Sequence, residues 1–167
     1  MEFKPLSIKT IKPLFNATIL AYYKLYNINL SYMRIRISEV PLNTKGRPTD
    51  KILPEQFGGC HCQNKTIFYN KYFEKAVKYY TGKSDKKTYI EILKRVTAHE
   101  LAHEVWFKHA DDNFKNEIVE KAINSNFQTE YTKTLNKNFS KYKEELFCEY
   151  LAYTIKPYQS IVVDIDV

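Results

Sequence analysis

The chain has 167 residues, which is the length of one domain with a substantial core. Its 4 glycines and 6 prolines exclude a collagen-like or low-complexity chain. No stretch approaches the roughly 20 apolar residues of a membrane helix, and no signal-peptide cleavage site follows the lysines near the N terminus. We therefore expect one domain over residues 1–167, without a membrane partner and in the cytoplasm.

The net charge of +7 is unevenly distributed along the sequence. Residues 1–95 contain 14 Lys and 4 Arg against 7 acidic residues, a balance of +11, whereas residues 96–167 contain 8 Lys against 12, a balance of −4. A basic region is compatible with binding to nucleic acid or to an acidic partner. Because these cations are scattered lysines without a recognised nucleic-acid motif, an ordinary solvated surface is the simpler interpretation.

In chain order, apolar periodicity predicts a helix from about Pro13 to Tyr26, and residues 33–38 alternate as in a half-buried strand. Residues 40–59 predict a long loop, and residues 66–70 a short strand. Further helices are predicted over 72–80, from 84 or 85 to 109, over 112–124 and over 140–155, with a last strand over 161–167. Residues 126–138 have no clear pattern. This content predicts an α+β fold.

The three cysteines, Cys60, Cys62 and Cys148, form a poor disulfide framework because their number is odd. Free thiols in a reducing compartment are the simplest interpretation. The alternative is that Cys60 and Cys62, which would project on the same side of a strand, share a metal ion. A closed structural zinc site would then need His61 and Cys148 as its remaining ligands.

The motif that carries chemistry is His99-Glu100-Leu101-Ala102-His103, the H-E-x-x-H pattern. Four residues advance a helix by about 400°, so both imidazoles leave the same face and can bind one Zn²⁺. Glu100 is placed to act as a general base on a water activated by the ion. The alternative is a metal-free protein in which the two histidines are hydrogen-bonded in the core.

A catalytic zinc site needs a third protein ligand, for which there are two candidates. His109 has the spacing of the metzincin pattern, but Trp106 stands where that pattern needs Gly, so the helix should carry His109 out of reach. Glu145 and Glu149 share one face of the downstream helix among apolar residues, where carboxylates need a cation. One would bind zinc and the other would orient a ligand histidine, unless Lys or Arg pairs with them.

With these motifs the chain resembles the gluzincin clan of zinc peptidases, whose compact members include ImmA-type repressor peptidases and related phage or plasmid proteins. Glu145-x-x-x-Glu149 is similar to the E-x-x-x-D motif of thermolysin, and Glu145-x-x-Cys148-Glu149 to the E-x-x-A-[D/N] form of smaller families. The resemblance implies that Glu145 is the third ligand and Glu149 its supporting partner. It also implies a small zincin-like domain, with the active-site helix and the Glu-bearing helix packed against a small mixed sheet.

The resemblance further implies a zinc-dependent endopeptidase acting on an intracellular protein, with a target on a phage or another mobile element. Residues 62–70 resemble the edge strand that holds an extended peptide substrate. Tyr142, Tyr150 or Tyr153 is expected to stabilise the oxyanion. Glu104 departs from the pattern, because this position is normally uncharged, and we expect it to face solvent. The alternatives are a SprT-like DNA-associated protease and a non-catalytic module that binds zinc or nucleic acid.

Overall fold

A computed structural model describes residues 4–38 and 57–159, which form an α+β fold. In these residues six helices and three strands follow in the order α1 (Ile8–Tyr26), β1 (Arg34–Ser38), β2 (Gly58–His61), β3 (Thr66–Asn70), α2 (Phe73–Thr81), α3 (Lys86–Lys108), α4 (Asp112–Asn124), α5 (Glu130–Thr134) and α6 (Tyr142–Ile155). Short 3₁₀ helices cover Cys62–Asn64 and Lys156–Tyr158. Among the described helices, none has the length and apolar character of a membrane span.

The sheet is mixed and has β3 at its centre. β1 pairs with β3 in parallel, and β2 pairs with β3 in antiparallel orientation, so that Cys60 lies opposite Ile67. Gly58 permits the close approach of β2, because a Cβ atom there would collide with the carbonyl oxygen of Phe68. The prediction that residues 62–70 supply the edge strand is therefore wrong. Both sides of β3 are already paired, and β2 is an outer strand of the described sheet.

The long helix α3 is the centre of the packing. Its N terminus is capped by Asp85, whose Oδ1 accepts the backbone N–H of Thr88 at 2.8 Å. Its apolar side packs against α1, α2, α6 and β2, and the Tyr22 hydroxyl donates to the Ala98 carbonyl at 2.6 Å. Of the two helices with candidate site residues, α3 contacts the sheet, whereas α6 packs against α3, α4 and α1.

The predicted elements over 33–38, 66–70, 72–80, 84–109, 112–124 and 140–155 are confirmed, and no end is shifted by more than two residues. The first helix instead begins at Ile8, because the Ser7 hydroxyl accepts the N–H of Thr10, and Pro13 lies inside it. β2 and α5 were not predicted; α5 begins with a capping box formed by Thr129 and Thr132. The predicted last strand and most of the predicted loop over 40–59 lie outside the described residues.

Candidate metal centre

Two packed helices, α3 and α6, bring the predicted metal-binding residues together. His99 and His103 are one turn apart on α3, and their ring centroids are separated by 5.0 Å. Glu145 and Glu149 lie on the face of α6 that packs against these rings. The contact between helices therefore joins side chains that are more than forty residues apart in the sequence.

Glu145 lies between the two imidazoles. Its Oε2 is 3.1 Å from His99 Nε2, and its Oε1 is 3.6 Å from His103 Nε2. The hydroxyl of Tyr131 donates to Oε2 at 3.1 Å and holds the carboxylate in this position. Burial alone would raise the pKa of Glu145, but its hydrogen bond with His99 lowers it, so the carboxylate is ionised.

The other nitrogen of each imidazole faces a second carboxylate of α6. His99 Nδ1 is 2.9 Å from Glu149 Oε2, and His103 Nδ1 is 2.7 Å from Glu144 Oε1. A carboxylate that accepts the Nδ1–H fixes the ring orientation and leaves Nε2 as the metal-binding atom. We call His99, His103, Glu144, Glu145 and Glu149 the histidine cluster.

Glu149 is itself held by two further residues. Its Oε1 accepts from Arg95 at 2.8 Å and from Thr129 at 3.0 Å. Burial alone would raise the pKa of Glu149, but its bond with His99, the Arg95 charge and the Thr129 hydroxyl lower it to about 2. Glu149 is thus a fixed anion that anchors the His99 ring.

Glu100 lies next to this cluster and is not used in it. Its half-buried side chain makes no hydrogen bond to any other described residue. Burial raises the pKa of Glu100, and the nearby Glu145 and Glu149 act in the same direction, against the two imidazoles. A free carboxylate with a raised pKa is suited to accept and return a proton.

Cys148 is a second candidate for the third ligand. Its sulfur and one ligand atom each of His99 and His103 all lie within 4.8 Å of one another. Burial, however, raises the pKa of this thiol, and the surrounding carboxylates add to the effect. Glu145 is ionised and contacts both Nε2 atoms directly, so we assign it the better geometry. Cys148 is also not available to the Cys60 and Cys62 pair, contrary to the four-ligand interpretation of that pair.

His109 and Glu104, near the C-terminal end of α3, were both expected to lie away from the metal site. The expectation holds for His109, but the surroundings of Glu104 differ from those expected. His109 caps the C terminus of the helix, away from the histidine cluster, with its Nε2 2.8 Å from the Tyr32 hydroxyl. Glu104 does not face solvent as predicted, since its side chain is 0% exposed. Instead its Oε1 accepts from Tyr32 at 2.7 Å and from Lys108 at 2.9 Å.

Sequence reasoning missed four residues that hold the cluster: Arg95, Thr129, Tyr131 and Glu144. Arg95 stands four residues before His99, so helical spacing alone could have found it. Tyr131 and Thr129 come from a segment without a pattern. The Tyr131 ring is 5.8 Å from the His99 ring, whereas Tyr150 and Tyr153, which were expected near the reaction centre, pack against Phe127.

The donor set of the histidine cluster fits a metal ion. It combines two imidazoles with Glu144, Glu145 and Glu149, and Glu100 lies beside it, while Arg95 is the neighbouring cation. This excess of negative charge favours a bound cation, and nitrogen with carboxylate oxygen is a typical donor set for Zn²⁺. No family model, curated protein or solved structure matches the chain, so no activity is transferred from a relative.

Proposed function

We propose that the protein is a zinc-dependent peptidase with a zincin-like arrangement of its two site helices. The supporting observation is that one carboxylate, Glu145, faces the Nε2 atoms of both His99 and His103, at 3.1 and 3.6 Å. Each ring has a carboxylate at both nitrogens. Ligand atoms held about 2.0–2.1 Å from a tetrahedral Zn²⁺ lie about 3.3 Å from one another, which matches the spacing between the Glu145 carboxylate and the two Nε2 atoms.

In this proposal His99, His103 and Glu145 hold Zn²⁺, while Glu149 and Glu144 orient the two rings. When bound, the ion would supply Lewis-acid polarisation of the scissile carbonyl and of the attacking water. Three protein ligands leave a coordination position for these groups, as a catalytic site requires.

Glu100 performs the proton transfers. It takes a proton from the water that adds to the carbonyl carbon, and it gives this proton to the amine nitrogen as the C–N bond breaks. Burial raises the pKa of Glu100 toward neutral pH, and a carboxyl group with such a pKa both accepts and releases a proton efficiently.

The outer strand β2 is the element suited to hold the substrate. It contacts α3 and belongs to the edge of the described sheet. An extended peptide could pair with it through main-chain hydrogen bonds, as substrates do in β-augmentation. We therefore propose an unfolded or extended protein segment as the substrate class.

To test this proposal, zinc per chain and the rate of cleavage of a quenched-fluorescent peptide library are measured for wild type and for single-residue variants. We expect wild type to bind zinc and cleave, and Glu100→Gln to retain zinc but lose at least 100-fold in rate, since general acid–base catalysis contributes about 10²–10⁴-fold. His103→Ala and Glu145→Ala should lose zinc. Glu91→Gln, on the exposed side of α3, is the matched control.

Two results would contradict this proposal. Full zinc retention in both His103→Ala and Glu145→Ala would remove the ligand assignment. Undiminished hydrolysis by Glu100→Gln would remove the proton-transfer role of Glu100.

A further inference from the structure

A second group of potential ligands lies where β2 meets α3. The sulfurs of Cys60 and Cys62 are 2.9 Å apart, and together with a carboxylate oxygen of Glu104 they lie within 4.8 Å of one another. We call these three residues the thiol cluster. Cys60 belongs to β2, Cys62 opens the following 3₁₀ helix, and Glu104 lies on α3.

Glu104 provides an independent indication that this group takes a cation. The residue is fully buried, and its Oε1 is occupied by Tyr32 and Lys108. Its other oxygen, Oε2, is also buried and has no hydrogen-bond partner among the described residues. Buried carboxylate oxygens are normally satisfied, so an unpartnered oxygen on a residue that lies this close to two thiols indicates a missing partner.

The chemistry of the three donors limits the identity of that partner. Thiolates bind Zn²⁺ and other thiophilic ions, whereas Mg²⁺ and Ca²⁺ prefer oxygen ligands throughout. Both cysteines are free and only half-buried, so an ion can reach them. The hydrogen bond with Cys62 and burial raise the pKa of the Cys60 thiol, so a bound ion has to displace its proton. His61 does not complete the set, because its ring packs on Phe68 at 4.6 Å.

We propose that Cys60, Cys62 and Glu104 bind a second divalent, thiophilic cation, with Zn²⁺ as the best match. The ion would connect β2 to α3, and so fix the position of the outer strand relative to the active-site helix. This site is separate from the histidine cluster, because it shares none of its ligands. The proposed thiol site can therefore be tested independently of the peptidase activity.

Metal counting on the reduced, 167-residue chain tests the proposal. Wild type should bind two zinc ions, and both Cys60→Ser/Cys62→Ser and His99→Ala/His103→Ala should bind one. An equal zinc content in wild type and in Cys60→Ser/Cys62→Ser would overturn the thiol site, whereas a single zinc in wild type that His99→Ala/His103→Ala retains would overturn only the histidine site. Recovery of a Cys60–Cys62 disulfide from protein purified with excess zinc would overturn it as well.

Cobalt substitution provides a measurement that does not depend on the folding of a cysteine variant. Co²⁺ bound to thiolates gives an intense charge-transfer absorption that nitrogen and oxygen ligands do not give. We expect this band in wild type, in His99→Ala/His103→Ala and in Cys148→Ala, and its loss on addition of Zn²⁺. Absence of the band from wild type, or its disappearance in Cys148→Ala alone, would contradict the assignment.

Discussion

The histidine cluster and the thiol cluster both use α3, through the adjacent residues His103 and Glu104, but their donor atoms are held differently. In the histidine cluster each imidazole nitrogen faces a carboxylate, and Glu149 is held in turn by Arg95 and Thr129. In the thiol cluster the two sulfurs contact each other, and one oxygen of Glu104 has no partner within residues 4–38 and 57–159. The first is organised by its own side chains, whereas the second depends on an ion.

This difference has an energetic consequence. Removing a metal from a site whose ligands keep their hydrogen bonds leaves a connected network, so the packing of α3 on α6 should persist. Removing it from a site with a buried, unpartnered oxygen leaves a desolvated acceptor. The thiol cluster should therefore be the more sensitive of the two to chelators.

The largest effect is expected from Glu149→Ala, which removes the anchor of the histidine cluster. We expect zinc affinity to fall up to about 100-fold, because the His99 ring loses the carboxylate that orients it. The free energy of unfolding should fall by about 3 kcal/mol, because Arg95 and His99 lose a buried ionic partner. Chelator competition and urea unfolding measure the two quantities.

Glu91→Ala is the control for this variant. Glu91 also lies on α3 and pairs with Lys156 at 2.7 Å, but the two side chains are 40% and 60% exposed, so its loss should cost less than about 1 kcal/mol. Equal zinc affinities of the two variants would show that the anchor has no role in metal binding.

An intermediate effect is expected from Lys108→Met on the side of the thiol cluster. Without zinc, Glu104 would keep Tyr32 as its one partner in the described part of the chain. The Cys62 carbonyl would also lose the bond that Lys108 donates at 2.6 Å, so stability should fall by about 2 kcal/mol. Added zinc should restore most of this loss, because the ion replaces the missing positive charge. Urea unfolding with chelator and with zinc measures the difference.

Lys121→Met is the matched control, since Lys121 pairs with Glu117 at 2.9 Å on the exposed side of α4. It should change stability much less than Lys108→Met does, because solvent screens this pair, and zinc should not alter that change. If zinc stabilised both variants equally, the link between Lys108 and the thiol cluster would be refuted.

The same comparison explains what the sequence could predict. His99, Glu100 and His103 are local: the one-turn spacing of the two histidines fixes their common face, Glu100 follows His99 directly, and capping at Asp85 fixes the helix. Glu145 and Glu149 could be named because carboxylates at helical spacing among apolar residues need a partner. The assignment of Glu144 to His103, however, depends on the rotation of α6 against α3, which the pattern of α6 does not specify.

The composition of the thiol cluster could not be predicted from local sequence patterns, for a different reason. Cys60 and Cys62 were seen as a pair, but their third member is more than forty residues away and was expected in solvent. The burial of Glu104 follows from the antiparallel docking of β2 onto β3 and the contact of β2 with α3. β2 was itself missed, because Gly58 and Gly59 are typical of a loop.

The smallest effect on metal binding is expected from Cys148→Ala, which tests the choice of third ligand. If Glu145 is the ligand, zinc affinity should change less than about 3-fold, while the cavity in the core costs about 1 kcal/mol of stability. Alanine suits the interior of α6, so the helix should be retained. Loss of zinc from Cys148→Ala together with retention in Glu145→Ala would transfer the ligand role to Cys148, since its sulfur lies within 4.8 Å of both histidines.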